Sequence, residues 1–226
     1  MHFLCLHGVG TNSKILEMQT AALRYELGDG HTYDYAEGLF TTPIAPEVES
    51  FVTGNETGFS HFDLESSTGS LKPVQDLEDF VAAEGPYDGV IAFSQGIVLA
   101  STLIIRNLQE GKPVPFKCAV FFSPVMGLLD VEETSRAGRA VEIDASRSSS
   151  TVMTLPTAVI WGSQDPYQVK AREMVPLCAP EQLSTFVHHG GHEIPGSGAN
   201  DAVIQSVNAI RRTIDRALDA DVGRSG

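Results

Sequence analysis

A serine lies in the run Ala92-Phe93-Ser94-Gln95-Gly96, between an apolar stretch that reads as a buried strand and one that reads as a helix. A serine on a tight strand-to-helix turn is lifted clear of a sheet, and its hydroxyl is presented at a helix N-terminus as a nucleophile. Small residues two before and two after it are required, because the turn brings neighbouring backbone into contact. Gly96 supplies one of them. Ala92 stands where the G-x-S-x-G pattern has glycine, an added load of one methyl. At its ordinary pKa a serine hydroxyl attacks poorly, so the chemistry also demands an adjacent base held by a third group.

Both partners follow in the chain. Trp161-Gly162-Ser163-Gln164-Asp165-Pro166 places an aspartate just beyond a second buried run, and His188-His189-Gly190-Gly191-His192 follows the last predicted strand. The order Ser94, Asp165, His192 is nucleophile, acid, base, the order of the α/β-hydrolase arrangement. His192 is the expected base because the Gly-Gly pair before it frees the loop to turn inward. His188 would still lie in the strand, and His189 is the closer rival. Asp201 is the alternative acid, but it opens a helix and reads as a cap or dipole partner. His188, His189, His192 and Glu193 also have the types of metal ligands. Their spacing lacks a helical or strand register, so neither a metal nor a cofactor is expected.

A tetrahedral intermediate needs two N–H donors aimed at its oxyanion. One is expected from the backbone of Gln95, the residue after the nucleophile. The other is expected from Val9, in the loop Leu6-His7-Gly8-Val9-Gly10-Thr11-Asn12, where Gly8 and Gly10 permit a tight backbone turn. His7 reads as a brace for that loop rather than a proton carrier. The glycines lack the spacing and the lysine of a phosphate-binding loop.

The elements needed to position these groups are legible as alternating β-branched or aromatic runs and amphipathic stretches. Strands are predicted at Phe3 to Leu6, Thr32 to Tyr35 (an edge), Gly89 to Phe93, Cys118 to Phe122, Thr157 to Trp161 and Leu183 to His188. A helix capped by Asn12 is predicted to carry Ile15, Leu16, Met18, Leu23 and Leu27. Another bears Val74, Leu77, Phe80 and Val81 and ends near Gly85-Pro86. A third runs from Ile97 to about Gln109. In the last helix Val203, Val207, Ile210, Ile214 and Leu218 recur at steps of three and four, a buried stripe. The expectation is one α/β-hydrolase domain over residues 1–226, with a mostly parallel central sheet flanked by helices. Two irregular segments interrupt it, at about 38–71 and 124–155, the second with a serine-rich tract at Ser146 to Ser150. Both follow predicted strands, so they are expected to form lid or pocket loops. Asp219 to Gly226 reads as a frayed tail.

Composition narrows the partners. Fifteen Lys and Arg against 29 Asp and Glu give a formal charge of −14, which disfavours nucleic acid and anionic membrane surfaces. No run approaches the roughly 18 apolar residues of a membrane span, and the N-terminus lacks a signal-peptide pattern. Cys5, Cys118 and Cys178 have no paired spacing and read as buried apolar side chains in a reducing, cytoplasmic compartment.

Taken together, Leu4-Cys5-Leu6-His7-Gly8, Asn12, Gln19, Glu37-Gly38, Phe93-Ser94-Gln95-Gly96, Gly162-Ser163-Gln164-Asp165 and Gly190-Gly191-His192-Glu193-Ile194-Pro195 resemble the FSH-type family of fungal serine hydrolases. The resemblance runs from the first strand to the histidine loop. It implies a minimal α/β-hydrolase whose triad maps onto Ser94, Asp165 and His192. It further implies either release of acyl chains from the thioester of a polyketide synthase carrier protein or short-chain esterase activity. This chain departs from the family at Ala92 and across 124–155. The expected function is a serine acyl hydrolase or thioesterase acting on a hydrophobic acyl or polyketide chain, with an acyl carrier protein as its partner. The alternatives are a small-molecule carboxylesterase and a hydrolase-like cyclisation or binding protein. Phe40, Phe59 and Phe62, with Met126 and Leu128, are expected to line the acyl pocket.

Overall fold

The computed structural model describes residues 1–52, 54–62, 71–146 and 151–224, the side chains of 221–224 excepted. Part of the first irregular segment, and the serine-rich tract beyond Ser146, lie outside the described residues. In chain order the elements are β1 (His2–Leu6), α1 (Ser13–Gln19), α2 (Ala21–Leu27), β2 (Thr32–Ala36), β3 (Phe40–Thr42), β4 (Gly58–Ser60), α3 (Lys72–Glu84) and β5 (Gly89–Phe93). They continue with α4 (Gln95–Gln109), β6 (Cys118–Phe122), α5 (Val131–Ala137), β7 (Thr157–Gly162), α6 (Gln168–Met174), β8 (Leu183–His188) and α7 (Asn200–Arg224).

Six strands form one sheet in the order β2-β1-β5-β6-β7-β8, every neighbouring pair parallel. The near-continuous apolar runs have a direct cause: β5 and β6 are buried at every position, because helices cover both faces of the sheet. Alternate residues of each strand enter different cores. Val90, Ala92, Ala119 and Phe121 pack with Leu77 of α3 and Leu103 of α4. Ile91, Phe93, Val120 and Phe122 pack with Val207 and Ile210 of α7. This is an α/β-hydrolase architecture.

Parallel pairing puts the carboxyl end of every strand at one edge of the sheet. From β1 the chain passes to β2 on one side and later resumes at β5 on the other, so the loops after β1 and β5 face each other at the switch of direction. Gly96 lets them close. A Cβ there would lie 2.5 Å from the carbonyl oxygen of Leu6 and 2.8 Å from that of His7, so α4 can start only this near β1 without a side chain.

Several local expectations are corrected. The helix expected beyond Asn12 is two helices broken at Thr20, whose hydroxyl bonds the Leu16 carbonyl at 2.9 Å and meets Tyr35 Oη at 2.9 Å. A threonine that bonds back to the preceding turn competes with the helix. The first irregular segment contains the antiparallel hairpin of β3 and β4 and a 3-10 turn at Pro46–Phe51. The second contains α5, capped by Asp130, whose carboxylate accepts the Glu133 N–H at 2.9 Å. Helix α6 lacks a clear apolar period and was not expected. Helix α7 continues to Arg224 through most of the expected tail, and its stripe ends on buried Ala217 while Leu218 is exposed. Among the described residues no helix is long and apolar enough to cross a membrane.

Candidate active site

Ser94 occupies the turn between β5 and α4 with φ +54° and ψ −117°. A non-glycine residue reaches this region only when its surroundings impose it. Here its N–H is held by the Phe122 carbonyl at 3.0 Å and its carbonyl accepts the Ile97 N–H at 3.1 Å. The Ala92 methyl, where the pattern has glycine, is fully buried in the apolar cluster beneath the turn.

The acid and histidine loops are stitched together. Ser163 N–H donates to the His188 carbonyl at 2.7 Å, and Gln164 N–H to that of Gly190 at 3.0 Å. This approach depends on Gly162, where a Cβ would lie 2.2 Å from the carbonyl oxygens of both Gly190 and Gly191. Asp165, 1 % exposed, uses both carboxylate oxygens: Oδ1 accepts the Tyr167 N–H at 2.7 Å, and Oδ2 lies 2.9 Å from His192 Nδ1. A carboxylate accepts only, so Nδ1 carries the proton and Nε2 keeps its lone pair. That nitrogen is 3.0 Å from Ser94 Oγ. The imidazole stands between Phe93 (5.1 Å between ring centres) and Tyr167 (5.4 Å, edge-on). Such a chain can draw the hydroxyl proton onto Nε2 and stabilise the imidazolium that results.

The rivals are placed elsewhere. His188 is buried, its Nδ1 accepts the Gly190 N–H at 3.1 Å, and burial pushes its pKa down. His189 and Asp201 are exposed. No group of three or more His, Cys, Asp or Glu among the described residues is disposed to hold a metal ion.

The backbone N–H groups of Val9 and Gln95 have no intramolecular acceptor among the described residues. The Val9 loop is pinned on either side: Gly10 N–H donates to the Phe59 carbonyl at 3.0 Å, and Phe59 N–H to that of Thr11 at 2.7 Å. His7, fully buried, sits 2.6 Å from the Gly8 carbonyl through Nδ1, while its Nε2 is 2.9 Å from the Gly38 N–H and 3.0 Å from Glu37 Oε1. Burial raises the Glu37 pKa, but its contact with the His7 ring and the N–H and hydroxyl donated by Ser13 outweigh it and hold the carboxyl below its usual range.

Sequence reasoning missed a latch behind this loop. Gln95 Oε1 accepts the His61 N–H at 2.8 Å and its Nε2 donates to Ser60 Oγ at 2.9 Å. His61 Nε2 is 3.0 Å from the His7 carbonyl, and its ring lies 4.5 Å from that of His7. Burial pushes the His61 pKa down to about 3, so the neutral ring donates through Nε2. Nothing in the irregular segment marks Ser60 or His61 as belonging to the site.

Ser94 and His192 open into a cleft of about 580 Å³. Its apolar wall comes from Val48, Phe51, Val125, Tyr167 and Ile194, and its polar wall includes Thr11, Gln19, Glu47, Ser50 and Glu193. None of the five residues expected to line an acyl pocket borders it. Leu128 and Phe62 pack into or against the core on the α4 side, and Met126 is half-buried outside the lining. Phe40 and Phe59 belong to a hairpin that meets the Val9 loop through its backbone bonds.

A family model described as Serine hydrolase (FSH1) matches residues 1–203. The chain belongs to that family. Among the relatives of this FSH1-family serine hydrolase, Esterase FPY3 of Fusarium mangiferae is 37 % identical over 220 residues, covering 96 % of this chain and 97 % of the relative. Probable esterase tazC of Aspergillus terreus is 27 % identical over 225 residues, covering 85 % and 84 %. The carboxylesterase structure from Mesorhizobium loti superposes with a TM-score of 0.60 at 18 % identity, over 92 % of this chain and 88 % of that one. That likeness shows the fold. The chain is therefore an enzyme of the serine hydrolase class, with an α/β-hydrolase fold.

Proposed function

We propose that this enzyme is a carboxylesterase that cleaves small esters through an acyl-enzyme on Ser94. As Oγ attacks the ester carbonyl, His192 Nε2 takes its proton, and the oxyanion that forms is met by the N–H groups of Val9 and Gln95. His192 then gives the proton to the departing alkoxide. Water attacks the acyl-enzyme, passing one proton to His192 and from there back to Ser94 Oγ, and the carboxylic acid leaves. Asp165 keeps the imidazole in the productive tautomer throughout. The observation that carries this reading is the unbroken run from Ser94 Oγ to His192 at 3.0 Å and on to Asp165 at 2.9 Å. A fluorophosphonate probe tests it: Ser94 is expected to be labelled in the folded protein, and Ser94→Ala to lose both label and hydrolysis. Hydrolysis that survives in Ser94→Ala overturns the reading.

The same groups would cleave a thioester. Val48, Phe51 and Val125 along the cleft favour an apolar acyl chain, and the family resemblance suggests one delivered by an acyl carrier protein of a polyketide pathway. Rates on an acyl carrier-protein thioester and on the matching free ester separate the two readings. A cytoplasmic location suits either, since all three cysteines are unpaired and buried.

A further inference from the structure

We propose that Gln19 forms a polar subsite in the cleft, selecting neutral or cationic esters that carry a hydroxyl group over plain aliphatic or anionic ones. The proposal rests on the carboxylesterase reading and names its substrate class.

Gln19 is the last residue of α1, three and four residues beyond Leu16 and Ile15, both fully buried. That spacing puts it on the helix's apolar face, where packing alone would favour leucine or methionine. The residue is only 8 % exposed, it borders the cleft that holds Ser94, and its Oε1 is buried with no hydrogen-bond partner among the described residues. A buried carboxamide oxygen left unpaired is destabilising, and such groups are rare in folded proteins.

Other polar side chains nearby are satisfied. Asn12 accepts from Ile15 N–H and donates to the Thr57 carbonyl. Thr11 donates to the Gly8 carbonyl, and Gln95 is held by Ser60 and His61. Among these, the Gln19 side chain alone has no hydrogen-bond partner among the described residues. A carboxamide offers a donor at one end and an acceptor at the other, which suits a hydroxyl, itself both donor and acceptor.

Charge sharpens the selection. Glu47 and Glu193 border the cleft, and no lysine or arginine does so among the described residues. Two carboxylates with no cation between them repel a substrate carboxylate and tolerate or attract a cation.

Three stable esters of similar size test this: methyl butanoate, methyl 3-hydroxybutanoate and monomethyl succinate, followed by titration of released acid. The wild-type enzyme should prefer the hydroxylated ester to methyl butanoate by roughly 5-fold in kcat/KM, the scale of one added hydrogen bond. Monomethyl succinate should be the poorest, and Glu47→Gln with Glu193→Gln should raise its kcat/KM relative to that of the neutral esters. Gln19→Met, matched in volume, should abolish the hydroxyl preference, bringing the ratio of kcat/KM for the two neutral esters to about one. A wild-type enzyme without the preference, a Gln19→Met that keeps it, or one that slows both neutral esters equally overturns the subsite. Fluorophosphonate labelling of Ser94 separates that outcome from failure of the parent reading: labelling without preference sinks the subsite alone, and absence of labelling sinks both.

Discussion

The side chain of Gln95 accepts the backbone N–H of His61 at 2.8 Å, so the residue after the nucleophile is tied to the hairpin bracing the Val9 loop. Gln95 offers one free N–H by its backbone, while its carboxamide grips Ser60 and His61. The preceding residue of that hairpin, Phe59, is bonded through its backbone to Gly10 and Thr11. The two N–H groups proposed to meet the oxyanion are thus linked through β4, although Val9 and Gln95 stand on different loops. Donors fixed in advance need no reorganisation as charge develops.

Loosening this link should lower kcat and leave KM nearly unchanged, because the donors act on charge that exists only in the transition state. Removing one such donor outright costs about 10²–10³ in kcat, so Gln95→Leu, which keeps the N–H but releases its grip, should cost less, roughly 10-fold. Steady-state kinetics on a single ester checks this. A rise in KM with kcat unchanged would mean that the latch serves substrate binding instead.

His61 ties the same latch to pH. Burial lowers its pKa from the ordinary 6.5 to about 3. Between those values the unfolded chain binds a proton that the folded form excludes, so stability rises with pH through the window and is lost on acidification. The slope from this one group is at most about 1.4 kcal/mol per pH unit. Urea midpoints measured from about pH 7 down to about pH 4 should fall for the wild-type protein and fall less steeply for His61→Gln, which does not titrate. Equal slopes would assign the acid sensitivity to other groups.

Ala92 invites a reverse substitution. Ser94 reaches φ +54° with the methyl in place, and that methyl is fully buried among core side chains. Glycine here would add backbone freedom to the unfolded chain and leave a small void. Ala92→Gly should therefore destabilise by about 1 kcal/mol with kcat within about twofold of wild type, a difference below ~0.5 kcal/mol. Thermal melts and initial rates read the two effects separately. A marked gain in kcat would mean that the methyl strains the turn after all.

What the sequence made legible follows local rules. Ser94 and Asp165 each lie just past an apolar run whose burial on both sheet faces forces a near-continuous hydrophobic signature, and His192 follows the half-exposed edge strand β8, so their shared edge can be read from spacing. The cleft wall obeys no such period. Phe40, Phe59 and Phe62 stand out by composition, yet the hairpin's role at the site is carried by its backbone. Phe51 and Tyr167 line the cleft instead, from a 3-10 turn and from the residue before α6. The latch at Ser60 and His61 depends on a contact to Gln95 some 35 residues away in the chain, a pairing that only tertiary folding defines. Thr20 ends α1 through its own side chain and Tyr35, so the apolar period runs across a break it cannot reveal.

The strand end at Gly162 gives the sharpest steric test of how the acid and base are brought together. A methyl at this position would lie 2.2 Å from two carbonyl oxygens of the histidine loop, far inside van der Waals contact. One of these, on Gly190, also accepts the Gln164 N–H that holds the two loops in register. Backbone must therefore move, and the nearest freedom is in Gly190 and Gly191, which carry His192 away from Asp165 and Ser94. A displacement of about 1 Å at a reacting group costs on the order of 10²-fold, so Gly162→Ala should lose about that much in kcat/KM. Its far-ultraviolet circular dichroism should stay that of the wild type, since both sheet faces remain packed. Fluorophosphonate labelling of Ser94 should slow in parallel, because the same base activates the hydroxyl in both reactions. Wild-type labelling and turnover in Gly162→Ala would show that the histidine loop is not held by this contact.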